Sequence, residues 1–167
     1  MVEWEHKHLL GIDDLKRDEI MYLLDKGNQY REMLEQSPKG INLLQGYYLI
    51  NLFFEPSTRT RISFEMAGKL LGMEVINFTN EMSSVQKGES LRDTVRTLSR
   101  MKADVLVIRH RSSGVPFYIS QFLPFHIINA GDGMREHPTQ ALLDLLTMKR
   151  DGIDFSRNTV AIIGDIL

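Results

Sequence analysis

Two hydrophobic rhythms alternate along this chain. Compact runs of β-branched and aromatic residues mark strands, and stretches with apolar residues every third or fourth position mark helices. A first helix is expected from about Asp14 to Gln36, closed by Ser37-Pro38 and Gly40. "YYLINLFF" (Tyr47–Phe54) is apolar at nearly every position, as in a strand buried on both faces. Thr58–Leu71 follows as a helix with Phe64, Ala67, Leu70 and Leu71 on one side and Gly72 just past its end. Met73–Phe78 is a second strand, and after a polar loop Ser90–Met101 resumes helical spacing at Leu91, Val95 and Leu98. Asp104–His110 is a third strand, Pro116 opens a helix to about Phe122, and His126–Ala130 is a fourth strand. Pro138 suits the first position of a helix running through "TQALLDLLTMKR". Thr159–Asp165 is expected as a further strand with an interior "VAII", set off by a boundary between Lys149 and Asn158.

Successive β-α units predict an α/β fold: an open, mostly parallel sheet with helices on both faces. In such a sheet, ligands sit outside the carboxyl ends of the strands. Ser57–Arg61 follow the first strand and Ser83–Glu89 the second, while Arg109 closes the third and Gly131–Gln140 follow the fourth. The uncommon polar clusters therefore gather on one rim.

Composition narrows the chemistry. The chain has 167 residues, 43% hydrophobic and 25% charged, and a formal net charge of -2. No overall basic field points to nucleic acid, so an anion site here is a local concentration of donors. There are no cysteines, which excludes disulfides, cysteine-zinc sites and thiol nucleophiles. The charged N-terminus lacks the apolar core of a signal peptide, and no apolar run approaches the roughly 20 residues that span a bilayer. The expectation is a cytoplasmic protein without a membrane partner.

Ser57 as a helix cap would leave backbone N–H groups free at the positive end of the following helix. Hydroxyls of Ser57, Thr58 and Thr60 and the guanidinium of Arg59 would complete a phosphate cradle. "STRTR" by itself fits equally well an ordinary cap followed by surface arginines. Arg109 would add a second guanidinium, and His137 and Gln140, three residues apart at a helix start, can face one way. An imidazole and an amide there suit polarising a carbonyl and holding an NH₂ group, although "HPTQ" by itself fits better a capped helix with a satisfied histidine. The glycine and lysine pattern of a P-loop is absent, and Glu136-His137 has no second metal ligand at helical spacing. His6 and His8 are expected in solvent near the terminus, with His110 and His126 structural beside strands. The nine methionines fit core filling.

Taken together, "FFEPSTRTRISFE", "SSVQKGESLRDT", "VIRH" and "NAGDGMREHPTQALLDLLT" closely resemble the aspartate carbamoyltransferase catalytic chain, in the same order and spacing. The resemblance implies carbamoyl transfer from carbamoyl phosphate to the α-amine of aspartate, in pyrimidine biosynthesis. It implies that Ser57, Thr58, Arg59, Thr60 and Arg109 hold the phosphate. Thr58, Arg109 and His137 would polarise the carbonyl, Gln140 would bind the NH₂, and Glu55 would orient an arginine. Ser83 and Lys87 would enter a neighbouring subunit's active site in a homotrimer, and Lys87 would favour a dianionic acceptor over ornithine. Arg59, Thr60, Arg109, His137 and Lys87 are thus the expected catalytic set, with no cofactor or metal.

By the same resemblance, residues 1–150 form the carbamoyl phosphate-binding domain. Residues 151–167 would be a linker and the first-strand stub of an aspartate-binding domain that is otherwise missing, with aspartate turnover negligible. Some family members meet a regulatory subunit or join dihydroorotase, and these residues leave either open. Two alternatives also stay open: an ornithine-type carbamoyltransferase, and a non-catalytic domain that binds phosphate or a partner.

Overall fold

The computed structural model describes residues 4–79 and 91–164, so Ser83 and Lys87 lie outside the described residues. In chain order the elements are α1 (Arg17–Gln36), β1 (Tyr48–Phe53), α2 (Thr58–Leu70), β2 (Glu74–Thr79) and α3 (Leu91–Ser99). They continue as β3 (Val105–His110), α4 (Val115–Ser120), β4 (His126–Asp132) and α5 (Pro138–Arg150). The strands form one all-parallel sheet in the order β2-β1-β3-β4.

Both faces of the sheet are covered, as the apolar runs of β1 and β3 require. Ile50, Leu52, Leu106, Ile108 and Ile127 pack with Val95 and Leu98 of α3 and Ile119 of α4. On the other face Leu49, Phe53, Val107 and Ala130 join Met73, with Phe64 of α2 and Ile128 against them. The helix α1 lies farther out and packs on α5, where Lys149 Nζ meets Asp25 Oδ1 at 2.6 Å. From β1 the chain turns outward to β2, and from β3 it turns the other way to β4. The winding reverses between β1 and β3, and open α/β sheets bind ligands beyond the strands' carboxyl ends at such a point.

Three expectations are corrected. Residues 159–164 form no strand, and Val160, Ile162 and Ile163 are exposed, the last at 95%. An apolar run becomes a strand only where a neighbour takes up its backbone hydrogen bonds, and no described strand lies alongside this one. Second, His6 and His8 are not left to solvent. The segment around Leu9 runs parallel to β4: Leu9 N donates to Ile127 O at 2.8 Å and Asn129 N to Leu9 O at 2.9 Å. His8 Nδ1 accepts from Ile127 N at 3.1 Å, and His6 Nε2 bonds Glu19 Oε1 at 3.0 Å. A single backbone pairing of this kind has no hydrophobic period to reveal it. Third, α1 starts at Arg17 rather than Asp14, because the Glu19 carboxylate accepts Lys16 N at 2.7 Å and caps the helix there.

Candidate anion site at the carboxyl rim

The turn out of β1 delivers an open helix end. Pro56 lacks an N–H, and Ser57 takes the N-cap position of α2 with extended backbone, φ -152°. Its hydroxyl makes no capping hydrogen bond, and the first turn carries no acidic residue. The N–H groups of that turn and the positive end of the helix dipole are therefore left for something else. Thr58 and Arg59 are exposed, with Ser57 and Thr60 half-buried. Arg59 pairs with no carboxylate among the described residues, whereas Glu65, farther along α2, is taken by Lys69 at 2.6 Å.

Arg109 stands opposite Phe53 in the β1–β3 register, across the switch point. Its Nε donates to Glu55 Oε2 at 3.3 Å and its Nη1 to Ala130 O at 3.1 Å. Glu55 precedes Ser57 by two residues, so this ion pair couples the start of α2 to the end of β3. Next to the guanidinium lies Gly131, with φ +119°. A Cβ at this glycine would fall 2.9 Å from Arg109 Nη1 and 3.4 Å from His137 Cδ2. Arg109 and His137 thus flank one point of backbone that only glycine leaves open.

His137 caps α5, its carbonyl accepting from Gln140 N at 3.0 Å and Ala141 N at 3.1 Å. Burial, and then the neighbouring Arg109 charge, hold the imidazole below its ordinary 6.5, so the ring favours its neutral form. Gln140 Nε2 donates to Asp144 Oδ1 at 3.0 Å, an orientation that leaves Oε1 to accept from an incoming NH₂. Arg109, Gly131 and His137 are brought together, and the α2 N-terminus is tied to them through Glu55. Gln140 sits one turn into α5 on its own hydrogen bond.

Sequence reasoning missed what holds the Gly131 turn. Asp132 is 1% exposed, and its carboxylate accepts from Gly114 N at 2.6 Å, Asn129 Nδ2 at 2.9 Å and Glu136 N at 3.1 Å. Asn129 Oδ1 accepts from Gly131 N at 2.9 Å, and its amide also donates to Leu10 O at 2.9 Å. Glu136 Oε2 reaches Ile12 N at 3.3 Å, which ties the N-terminal segment to the residue before His137. The available signal was the bracketing of a glycine-rich turn by Asn and Asp, whose side chains bond nearby backbone. Among the described residues, no cluster of three or more His, Asp or Glu side chains could hold a metal ion.

The family model for the aspartate/ornithine carbamoyltransferase carbamoyl-P binding domain matches residues 7–150. The chain belongs to this family. It is 51% identical to the aspartate carbamoyltransferase catalytic subunit of Rhizobium etli, over 100% of this chain and 52% of that protein. The catalytic subunit of Caldanaerobacter subterraneus subsp. tengcongensis is 52% identical over 96% of this chain and 53% of its own length. Among solved structures, the catalytic subunit of M. jannaschii aspartate transcarbamoylase superposes with a TM-score of 0.80 at 48% identity, covering 87% of this chain and 47% of that one. The Trypanosoma cruzi aspartate transcarbamoylase, in complex with carbamoyl phosphate and aspartate, gives 0.79 at 40% identity over 86% of this chain and 44% of that one. This carbamoyltransferase-family chain spans about half the length of the relatives it matches. No helix among the described residues is long and apolar enough to cross a membrane.

Proposed function

We propose that this chain supplies the carbamoyl phosphate half of an aspartate carbamoyltransferase active site. The observation that carries the reading is the meeting of Arg109 and His137 at Gly131, ion-paired through Glu55 to the uncapped start of α2. The phosphate rests on the first-turn N–H groups of α2, the hydroxyls of Ser57, Thr58 and Thr60, and the guanidinium of Arg59, with Arg109 beside it. Thr58, Arg109 and neutral His137 aim donors at the carbonyl oxygen, and Gln140 Oε1 accepts from the NH₂.

The aspartate amine attacks the carbonyl carbon, and negative charge grows on the oxygen where those donors converge. The C–O bond to phosphate then breaks, phosphate leaves with the bonding pair, and the amine nitrogen loses a proton to give N-carbamoyl aspartate. No covalent enzyme intermediate is needed. Positioning and charge stabilisation supply the rate, and the leaving group departs already surrounded by positive charge.

Further parts of the reading rest on the sequence resemblance. Ser83 and Lys87 act in a neighbour's site within a homotrimer, and the pathway served is pyrimidine biosynthesis. Residues 1–150 are the donor domain and 151–167 lead into an acceptor-binding part, which the end of the family match at residue 150 supports. A thermal-shift titration tests the donor site. Carbamoyl phosphate should raise the melting temperature of the wild type and leave Arg59→Ala unmoved. An equal shift in both would overturn the assignment.

A further inference from the structure

Away from the rim, a hollow of about 280 Å³ opens between α3 and α4. Its floor is the outer edge of one core, where Val95, Ile119 and Leu123 are each under 5% exposed. Tyr118 and Phe122 form one wall, edge to face with ring centroids 5.1 Å apart, and both remain largely exposed. Arg92 and Arg96 stand on the opposite wall, four residues apart on α3 and so on one face. Neither guanidinium has a hydrogen bond or ion pair with another described residue. None of the residues lining this hollow belongs to the carbamoyl phosphate site.

We propose that the α3–α4 hollow binds a small amphipathic organic anion, a ring or short chain bearing one carboxylate, sulfonate or phosphate. The apolar floor and aromatic wall would take the hydrocarbon part, as most small-molecule sites do. The two guanidiniums would take the acid group in forked hydrogen bonds, with the aromatic wall across from them excluding water. Charge complementarity selects an anion, and the size of the hollow selects a molecule of about one or two rings rather than a protein segment. Carbamoyl phosphate, wholly polar, does not suit it.

The test uses 8-anilinonaphthalene-1-sulfonate as the probe, followed by fluorescence titration at low ionic strength. The expected result is saturable one-to-one binding, weakened about tenfold or more by Arg92→Gln combined with Arg96→Gln. Both arginines are exposed, so the fold should survive their replacement. Phe122→Ala, also at an exposed position, should weaken binding separately from the other wall. 2-Naphthoate should displace the probe where neutral 2-naphthalenemethanol does not, and carbamoyl phosphate should leave it bound. Absence of binding, or unchanged affinity in the double arginine variant, would overturn the proposal. So would a binding capacity that falls with rising protein concentration while the light-scattering mass grows, since the hollow would then be covered by a second copy of the chain.

Discussion

Arg109 is anchored at two points, through Nε to Glu55 and through Nη1 to the Ala130 carbonyl, and no described residue takes up Nη2. Replacing it with alanine removes a donor to the ligand and strands a half-buried carboxylate. Arg109→Ala is therefore expected to weaken carbamoyl phosphate binding by roughly 10–100-fold and to lower stability as well. Gly131→Ala should show a similar binding loss for a different reason, because its methyl group would fall 2.9 Å from Arg109 Nη1 and push the guanidinium aside, at a backbone φ of +119° that suits glycine. His137 offers a test in pH. Its folded-state pKa lies below 6.5, so as pH falls the unfolded chain takes up the proton first. The contribution of His137 to stability thus declines from about pH 6.5 down to the folded pKa and is constant below it. An NMR titration of the ring should give a midpoint under 6.5. A midpoint at or above that value would contradict the neutral imidazole.

At the scale of elements, the β4–α5 connection is held by buried polar bonds more than by apolar packing. Asp132→Ala would leave the Gly114 and Glu136 amides without their carboxylate acceptor and the Asn129 side chain with Leu10 O alone. A cost of about 3 kcal/mol is expected in urea unfolding, together with weaker donor binding through displacement of the Gly131 turn. The N-terminal segment carries a second structural prediction. Leu9→Pro deletes the N–H that bonds Ile127 O, and should speed hydrogen exchange at Asn129 while lowering stability. Strands and helices with a strong period were legible in the sequence: β1, β3, α2 and α5 lie within a few residues of their expected bounds. The shared placement of Ser57–Arg61, Arg109 and Gly131–Gln140 was legible too, since the common direction of parallel strands puts each following loop at the same end. The Asp132 network and the Leu9 pairing were not, because both join residues whose partners lie in other elements or whose role is backbone bonding. Val160–Ile163 misled for the complementary reason. Hydrophobic pattern marks a wish for burial, and only a neighbouring strand can grant it.

Over the whole molecule, a chain with a net charge of -2 places two arginines, Arg59 after β1 and Arg109 at the end of β3, where the winding of the sheet reverses. The helix α2 points its N-terminus there with neither cap bond nor acid in its first turn. In a fold built only for stability, an Asp or Glu would be favourable at that position. The absence of one fits a place kept for a ligand's negative charge. The most direct test is a calorimetric titration of this chain with carbamoyl phosphate, hydrolysis controlled, beside the same titration of Arg109→Ala. The account predicts one saturable site in the wild type and a large loss of affinity in the variant. No saturable heat from folded wild-type protein, or equal affinity in the two, would contradict it.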